Sequence, residues 1–301
     1  MLHLAHIVNP VKVKESSDLF YAQDITFASM LKAKEEAISS VQVSLFTCQY
    51  EEDEEILPKH FINLGNLERS VLDKNPMLRQ RKLPLIADIL HLLAENSDAE
   101  YLIYTNVDIG LMPYFYNYVA DKIKEGHDAL VINRRRLQAQ YTKVEELPFI
   151  YADLGASHPG FDCFVFKRSL FERFVLGDIC VGISFIGVAL AHNIFSLAEK
   201  PLFVPDAHLT FHIGTEVLVP RTNVFYQHNR KQFFTKVYPA LKEHFDIRKF
   251  PYAALPLHKR ALKWMLNPSL FTSNYLNLEG KSFIQKCKTR LDGIRWRILQ
   301  K

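Results

Sequence analysis

The sequence predicts an α/β fold: a mostly parallel sheet flanked by helices, with a basic helical appendage at the C-terminus. Three observations carry this. Short apolar runs alternate with amphipathic stretches through residue 133, in the order β-α-β-α-β-α-β, and such alternation implies parallel strands covered by helices. Two of the runs stop abruptly at polar residues, Asn9-Pro10 and Asn106-Val107-Asp108. Ligands of open sheets bind outside the carboxyl ends of the strands, so both breaks belong to one rim. Finally, residues 249–301 carry 11 Lys and Arg against Glu279 and Asp292, a net +9, which leaves −5 for the rest of a +4 chain. We therefore divide the chain into an α/β domain, 1–248, and a basic helical extension, 249–301.

The elements follow in order. Leu2 to Val8 is a short strand ended by Asn9-Pro10, and Lys12 to Ser17 is a polar loop. Asp24 is suited to cap a helix over "ITFASMLKAKEEAI", whose Ile25, Ala28 and Leu31 form an apolar stripe. Val41 to Thr47 is a second strand, and "EEDEE" at 51–55 reads as a solvated loop. A helix from about Lys82 carries Ile86, Ile89, Leu90 and Leu93 at helical spacing. The strand "YLIYT" follows, then a helix opened by Pro113, and then the strand "DALVIN". In the second half, "HPGFDCFVFK" is a turn and a strand, Ser169 starts a short helix, and Pro201–Pro205 and His208–Ile213 are short strands.

Composition excludes several classes. With 48% apolar and 23% charged residues the 301-residue chain is ordinary for a globular protein. Cys48, Cys163, Cys180 and Cys287 are widely spaced, without a CxxC pair, which argues against a zinc ribbon or disulfide framework and fits a reducing compartment. "MLHLAHIVNP" lacks the features of a signal peptide. Residues 179–198 hold no formal charge, but two Gly, His192 and Asn193 interrupt them. They read as a turn and a buried helix rather than a membrane span.

The chemistry starts at Asn106 and Asp108. Side chains two apart in an extended segment point the same way, and hard cations such as Mn²⁺ or Mg²⁺ take oxygen donors together with substrate phosphates. Asn and Asp also end strands without any metal. "AEYLIYTNVDIGLMPYF" resembles the DxD-motif region of GT-A fold, nucleotide-sugar-dependent glycosyltransferases, of the family 2 kind, with Asn106 in place of the first Asp. The resemblance covers roughly residues 2 to 216 and rests on the order of short motifs. It implies that Asn9, Pro10, Arg81 and Lys82 hold the nucleotide, with Asn106, Val107 and Arg134 nearby. His158, Gly160 and Asp162 of "HPGFD" would contact the donor sugar or acceptor. Asp108, His212 and Asn106 would bind Mn²⁺ or Mg²⁺, with His208 a weaker candidate than His212. Asp162 and Asp178 are the candidate catalytic bases of an inverting enzyme, because the stretch from 183 to 190 has no carboxylate, and a retaining enzyme would need neither.

The resemblance thus implies a metal-dependent transferase with a nucleotide-diphosphate sugar donor and a glycan or lipid-linked acceptor. A sugar nucleotidyltransferase is an alternative, although "IVNPVKVKESSD" lacks the glycines of a phosphate loop. A non-catalytic nucleotide-sugar or glycan-binding protein of the same fold is another. Residues 281–301 put Phe283, Ile284, Cys287, Leu291, Ile294 and Ile298 near one helical face and Lys and Arg on the other. That suits peripheral contact with a membrane and a place in the cytoplasm at the inner membrane face. No nucleic-acid reading module accompanies the charge, so nucleic acid is not an expected partner.

Overall fold

The computed structural model describes residues 1–39, 41–78, 81–137, 141–158, 160–213 and 222–266. They fall into two compact units, Met1–Lys249 and a second that begins at Phe250. In the first, the strands are β1 (Leu2–Val8), β2 (Val41–Gln49), β3 (Ile62–Asn66), β4 (Tyr101–Thr105), β5 (Ile109–Leu111), β6 (Ala129–Ile132), β7 (Arg135–Arg136), β8 (Ala156–Ser157), β9 (Cys163–Lys167), β10 (Pro201–Val204) and β11 (Thr210–His212). The helices are α1 (Asp18–Glu35), α2 (Val71–Lys74), α3 (Ile86–Glu95), α4 (Phe115–Lys124), α5 (Leu147–Ala152), α6 (Arg168–Phe171), α7 (Ile186–Leu197), α8 (Val224–Gln232) and α9 (Tyr238–Leu241).

Seven strands form the main sheet in the order β10-β6-β9-β4-β1-β2-β3. All its pairs are parallel except those of β9, which runs antiparallel to β4 and β6. Every residue of β4 and β6 is buried. Strands covered on both faces need apolar side chains at every position, which is why "YLIYT" and "ALVI" do not alternate. The order places the carboxyl ends of β1 and β4 side by side, as their polar breaks implied.

Several boundaries differ from the sequence expectation, each for a local reason. α1 starts at Asp18, not after Asp24, because the Ser17 hydroxyl caps it by accepting from Leu19 N–H. "EEDEE" is a 3₁₀ turn, Glu51–Ile56, and its Asp53 is buried. The helix expected from Lys82 starts only at Ile86. Pro84 keeps its predecessor extended, and this segment pairs instead with residues 179–181, through Ile86 N–H to Ile179 C=O and Val181 N–H to Pro84 C=O. Residues 179–198 are a turn followed by the buried helix α7. Among the described residues no helix is long and apolar enough to cross a membrane.

A second, four-stranded sheet, β5-β11-β7-β8, was not legible in the sequence because its strands have only two or three residues. It matters because it carries His212 to the rim. Gly110 of β5 lies opposite Phe211 of β11, and a Cβ there would come 2.3 Å from the Phe211 ring. Gly110→Ala should therefore destabilise the fold by about 1–3 kcal/mol, the usual cost of overpacking. Urea unfolding measures this, and an unchanged midpoint would contradict it.

The second unit contains α10 (Leu257–Leu266), where Trp264 Nε1–H donates to Pro251 C=O. The amphipathic segment 281–301 lies outside the described residues.

Candidate active site

The loops after β1 and β2 are pinned before they reach the site. Asn9 Nδ2–H donates to Cys48 C=O at 2.7 Å, tying the end of β1 to β2. Gln23 of α1 both accepts from Val11 N–H and donates to Val11 C=O. Asp53 Oδ1 accepts from Lys12 N–H at 2.7 Å, and burial raises the Asp53 carboxyl above its ordinary range. Lys82 Nζ lies 3.8 Å above the Tyr50 ring and donates to both oxygens of Glu52. Asn9, Val11, Lys12, Tyr50, Glu52, Asp53 and Lys82 line a cavity of about 390 Å³, open to solvent, with Tyr104, Asn106, Val107, Asp108, Val181 and Gly182 also on its lining. That is a size suited to a small-molecule ligand.

At the end of β4, Asn106 Oδ1 accepts from the Tyr104 hydroxyl at 2.9 Å. Asp108 meets His212 of β11, with Asp108 Oδ2 3.2 Å from His212 Nε2. Burial pushes the Asp108 carboxyl upward, but the hydrogen bond and charge of His212, with Arg134 beyond, outweigh it and hold the group below the ordinary range. Asp108 is therefore an anion at neutral pH. Asp108 Oδ1 and His212 Nδ1 are buried and have no hydrogen-bond partner.

A divalent ion fits this pair. Adjacent ligands of an octahedral ion lie about 3.0 Å apart when each bond is about 2.1 Å, close to the observed 3.2 Å. Among the described residues no group of three or more His, Cys, Asp or Glu is placed to share one ion, so water or phosphate oxygens would fill the remaining positions.

Arg134 forms an ion pair with Asp162, and both side chains are 9% exposed. Asn133 Nδ2–H donates to His158 C=O, and His158 N–H to Arg134 C=O. The "HPGFD" segment is thus fastened to the end of β6. Alternate residues of an extended chain face opposite ways. Arg135 accordingly turns elsewhere, to Asp206 and the carbonyls of Leu154 and Gly155.

A buried layer supports the rim. His6 of β1 is fully buried, with Nδ1 2.9 Å from the Tyr116 hydroxyl and Nε2 2.9 Å from Thr105 Oγ1. Burial lowers its pKa from 6.5 to about 3. The unfolded chain then binds a proton that the folded chain refuses, so stability falls as pH drops from about 6.5 toward 3. Below pH 6 the His6 contribution is about 1.4 kcal/mol per pH unit. Urea unfolding between pH 7 and 5 should show His6→Leu with a shallower pH slope than the wild type. Parallel slopes would exclude His6 as the source.

The structure therefore brings Asn9, Arg81, Lys82, Asn106, Val107 and Asp108 to one cavity, with His212 in contact with Asp108. Pro10, Arg134, His158, Gly160 and Asp162 do not line it, although Arg134 is close enough to act on the Asp108 charge. Asp178 does not line it either: its Oδ1 is 3.8 Å from Lys74 Nζ. His208 sits in a left-handed turn at φ 49, among Arg135, Asp206 and Asp153. Tyr50, Asp53 and Tyr104 were missed. Asp53 was hidden in an acidic run, Tyr104 read as a strand residue, and Tyr50 lay between the second strand and the acidic run with no signal of its own.

No protein-family model and no curated protein matches the chain. Solved structures do. S. aureus TarS 1-349 in complex with UDP aligns with a TM-score of 0.51 and 11% identity, over 94% of this chain and 77% of that one. The same protein in complex with UDP-GlcNAc aligns at 0.50 and 12%, over 94% and 78%, and without a named ligand at 0.50 and 10%, over 92% and 73%. At such identities the likeness shows the fold alone, and the chain has the GT-A-type fold, a mainly parallel central sheet flanked by helices.

Proposed function

We propose that the chain is a metal-dependent glycosyltransferase that moves a sugar from a nucleotide-diphosphate sugar to an acceptor hydroxyl. The observation that carries this is the Asp108–His212 pair, with Asp108 Oδ2 and His212 Nε2 at a spacing that suits one ion and Asp108 Oδ1 unpartnered, beside a cavity at the carboxyl ends of β1 and β4. Asp108 and His212 would hold Mn²⁺ or Mg²⁺, with Asn106 near it directly or through water. The ion, when bound, neutralises charge on the diphosphate as the glycosidic bond breaks. Tyr50, Asp53, Arg81 and Lys82 line the same cavity as Asp108, and the nucleoside is assigned to them. Arg134 pairs with Asp162 and its charge also acts on Asp108. Of the two candidate bases, Asp162 has this link to the metal pair and Asp178 does not. Asp162 is therefore assigned to the sugar or acceptor hydroxyls.

TarS in complex with UDP-GlcNAc supports UDP-sugars as the first donors to try. The acceptor is assigned as a glycan or lipid-linked hydroxyl, met at the inner face of a membrane through residues 281–301. A second reading, a non-catalytic nucleotide-sugar-binding protein, is favoured by Asn106, whose oxygen is already engaged by Tyr104.

The experiment is thermal unfolding with a panel of nucleotide sugars, with and without Mn²⁺, followed by product detection. A ligand that binds only the folded chain raises its stability. Metal-dependent stabilisation with sugar release or transfer supports the enzyme, and stabilisation without turnover supports the binding protein. No shift with any nucleotide removes both.

A further inference from the structure

We propose that a second cavity, between the turn after α2 and the outer face of α8, binds a phosphate ester bearing an apolar segment, the charged end of the acceptor. The word acceptor rests on the transferase reading; the anion site does not. This cavity measures about 500 Å³ and shares no lining residue with the first.

Its lining has a definite chemistry. Lys74 and Lys231 contribute two ammonium groups, and among the described residues no Asp or Glu lines it. Three side-chain amides and His228 add polar groups. Lysine acts as a point charge that suits a phosphate from any direction. Met77, Leu78 and Val224 supply an apolar border, and Met77 and Val224 are 86% and 47% exposed. Among the described residues no Phe, Tyr or Trp lines the cavity, so they offer a nucleobase no ring to stack on. On α8, Val224, Gln227 or His228, and Lys231 recur at helical spacing, which puts them on one face.

The cavity is built on the same supports as the first. Leu78, on its lining, packs in one apolar cluster with Leu83, Cys180, Ile183 and Phe225. Leu83 lines the first cavity, as do Val181 and Gly182. The backbone between the two is held from α8. His228 Nε2 lies 2.8 Å from Asp178 C=O, Asn229 bonds both N–H and C=O of Cys180, and Gln232 accepts from Asp178 N–H. Asp178 also stands 3.8 Å from Lys74 Nζ. Its carboxylate reduces the local positive charge but leaves Lys231 unopposed among the lining residues.

The test is calorimetric titration of the full chain with inorganic phosphate, octyl phosphate and octyl glucoside. Octyl phosphate should bind about tenfold more tightly than inorganic phosphate, the gain from a few buried methylenes. Octyl glucoside, uncharged, should not bind. The double variant Lys74→Gln/Lys231→Gln should weaken octyl phosphate about a hundredfold, the loss of two charge-assisted contacts, and leave UDP affinity unchanged. Met77→Glu, with a carboxylate at the exposed border, is an independent variant expected to weaken it as well. Sedimentation with phosphatidic acid vesicles separates the sources. Binding of soluble octyl phosphate identifies a free ester, and binding only to the vesicles, lost in the double variant, identifies a lipid headgroup at the cavity rather than the contact of residues 281–301; vesicle binding unchanged in the double variant, without octyl phosphate binding, overturns the proposal. Binding to neither overturns the proposal, as does equal affinity in the double variant or for octyl glucoside. Loss of all UDP binding with octyl phosphate intact would remove the transferase reading and keep the anion site.

Discussion

Asp108→Asn is expected to abolish the Mn²⁺-dependent part of nucleotide binding and to lower transfer about a thousandfold. The substitution keeps shape and nearly keeps volume, so the ligand-free fold should survive. What it removes is the anion. Asp108 is held below the ordinary carboxylate range by His212 and Arg134 despite burial, and its Oδ1 has no other partner. A neutral amide at this point leaves a divalent ion with His212 and Asn106 alone. A metal contributes several kcal/mol to a transition state that builds charge on a diphosphate, and each 1.36 kcal/mol is a factor of ten in rate. Titration of UDP with and without Mn²⁺, beside the rate of donor consumption, reads both effects. Metal-dependent binding that persists in Asp108→Asn would remove Asp108 from the metal site.

Asp162→Ala should cost the fold about 3–5 kcal/mol, far more than a solvated ion pair is worth. Arg134 and Asp162 are buried, 8% and 7% exposed as residues. Removing the carboxylate leaves a guanidinium in a poorly solvated place. The same pair fastens "HPGFD" to the end of β6, together with Asn133 and His158. The variant should therefore lose stability and donor-sugar binding together. Urea unfolding of Asp162→Ala, Arg134→Met and the double variant separates the pair from its parts. The double variant should be more stable than the two single losses added together, because both single variants lose the same interaction. A single-variant cost below about 1 kcal/mol would mean that the pair behaves as an ordinary surface bridge.

Much of the fold was legible because burial on both faces leaves a plain mark. "LAHIV", "YLIYT" and "ALVI" are continuous apolar strands, and each sits inside the main sheet. His6 is the exception within them, an imidazole in the core that two hydroxyls satisfy. The antiparallel direction of β9 was not legible, since periodicity is the same for either direction. Nor was the start of α3. Pro84 signalled a boundary, but the pairing of 84–86 with 179–181 joins segments far apart in the chain.

The site was legible in part. Asp108 and His212 were singled out from residue type and motif order, and they meet at 3.2 Å. Arg134, Arg135 and Arg136 are consecutive and chemically alike in the sequence. Strand alternation and the positions of Asp162 and Asp206 made them inequivalent. Asp53 looked like one of several solvated acids until the backbone of Lys12 closed on it.

The sequence by itself determined the alternating α/β architecture, the two polar strand ends on one rim and the residue types available for a metal. Those follow from local pattern, because side-chain periodicity and strand-end chemistry are properties of short segments. Only the tertiary structure decided which of these side chains meet. The contacts of Asp108 with His212, of Arg134 with Asp162 and of Lys82 with Glu52 span 104, 28 and 30 residues of chain. Such contacts depend on how the sheet order and the short second sheet bring distant strand ends together, and no local pattern encodes that.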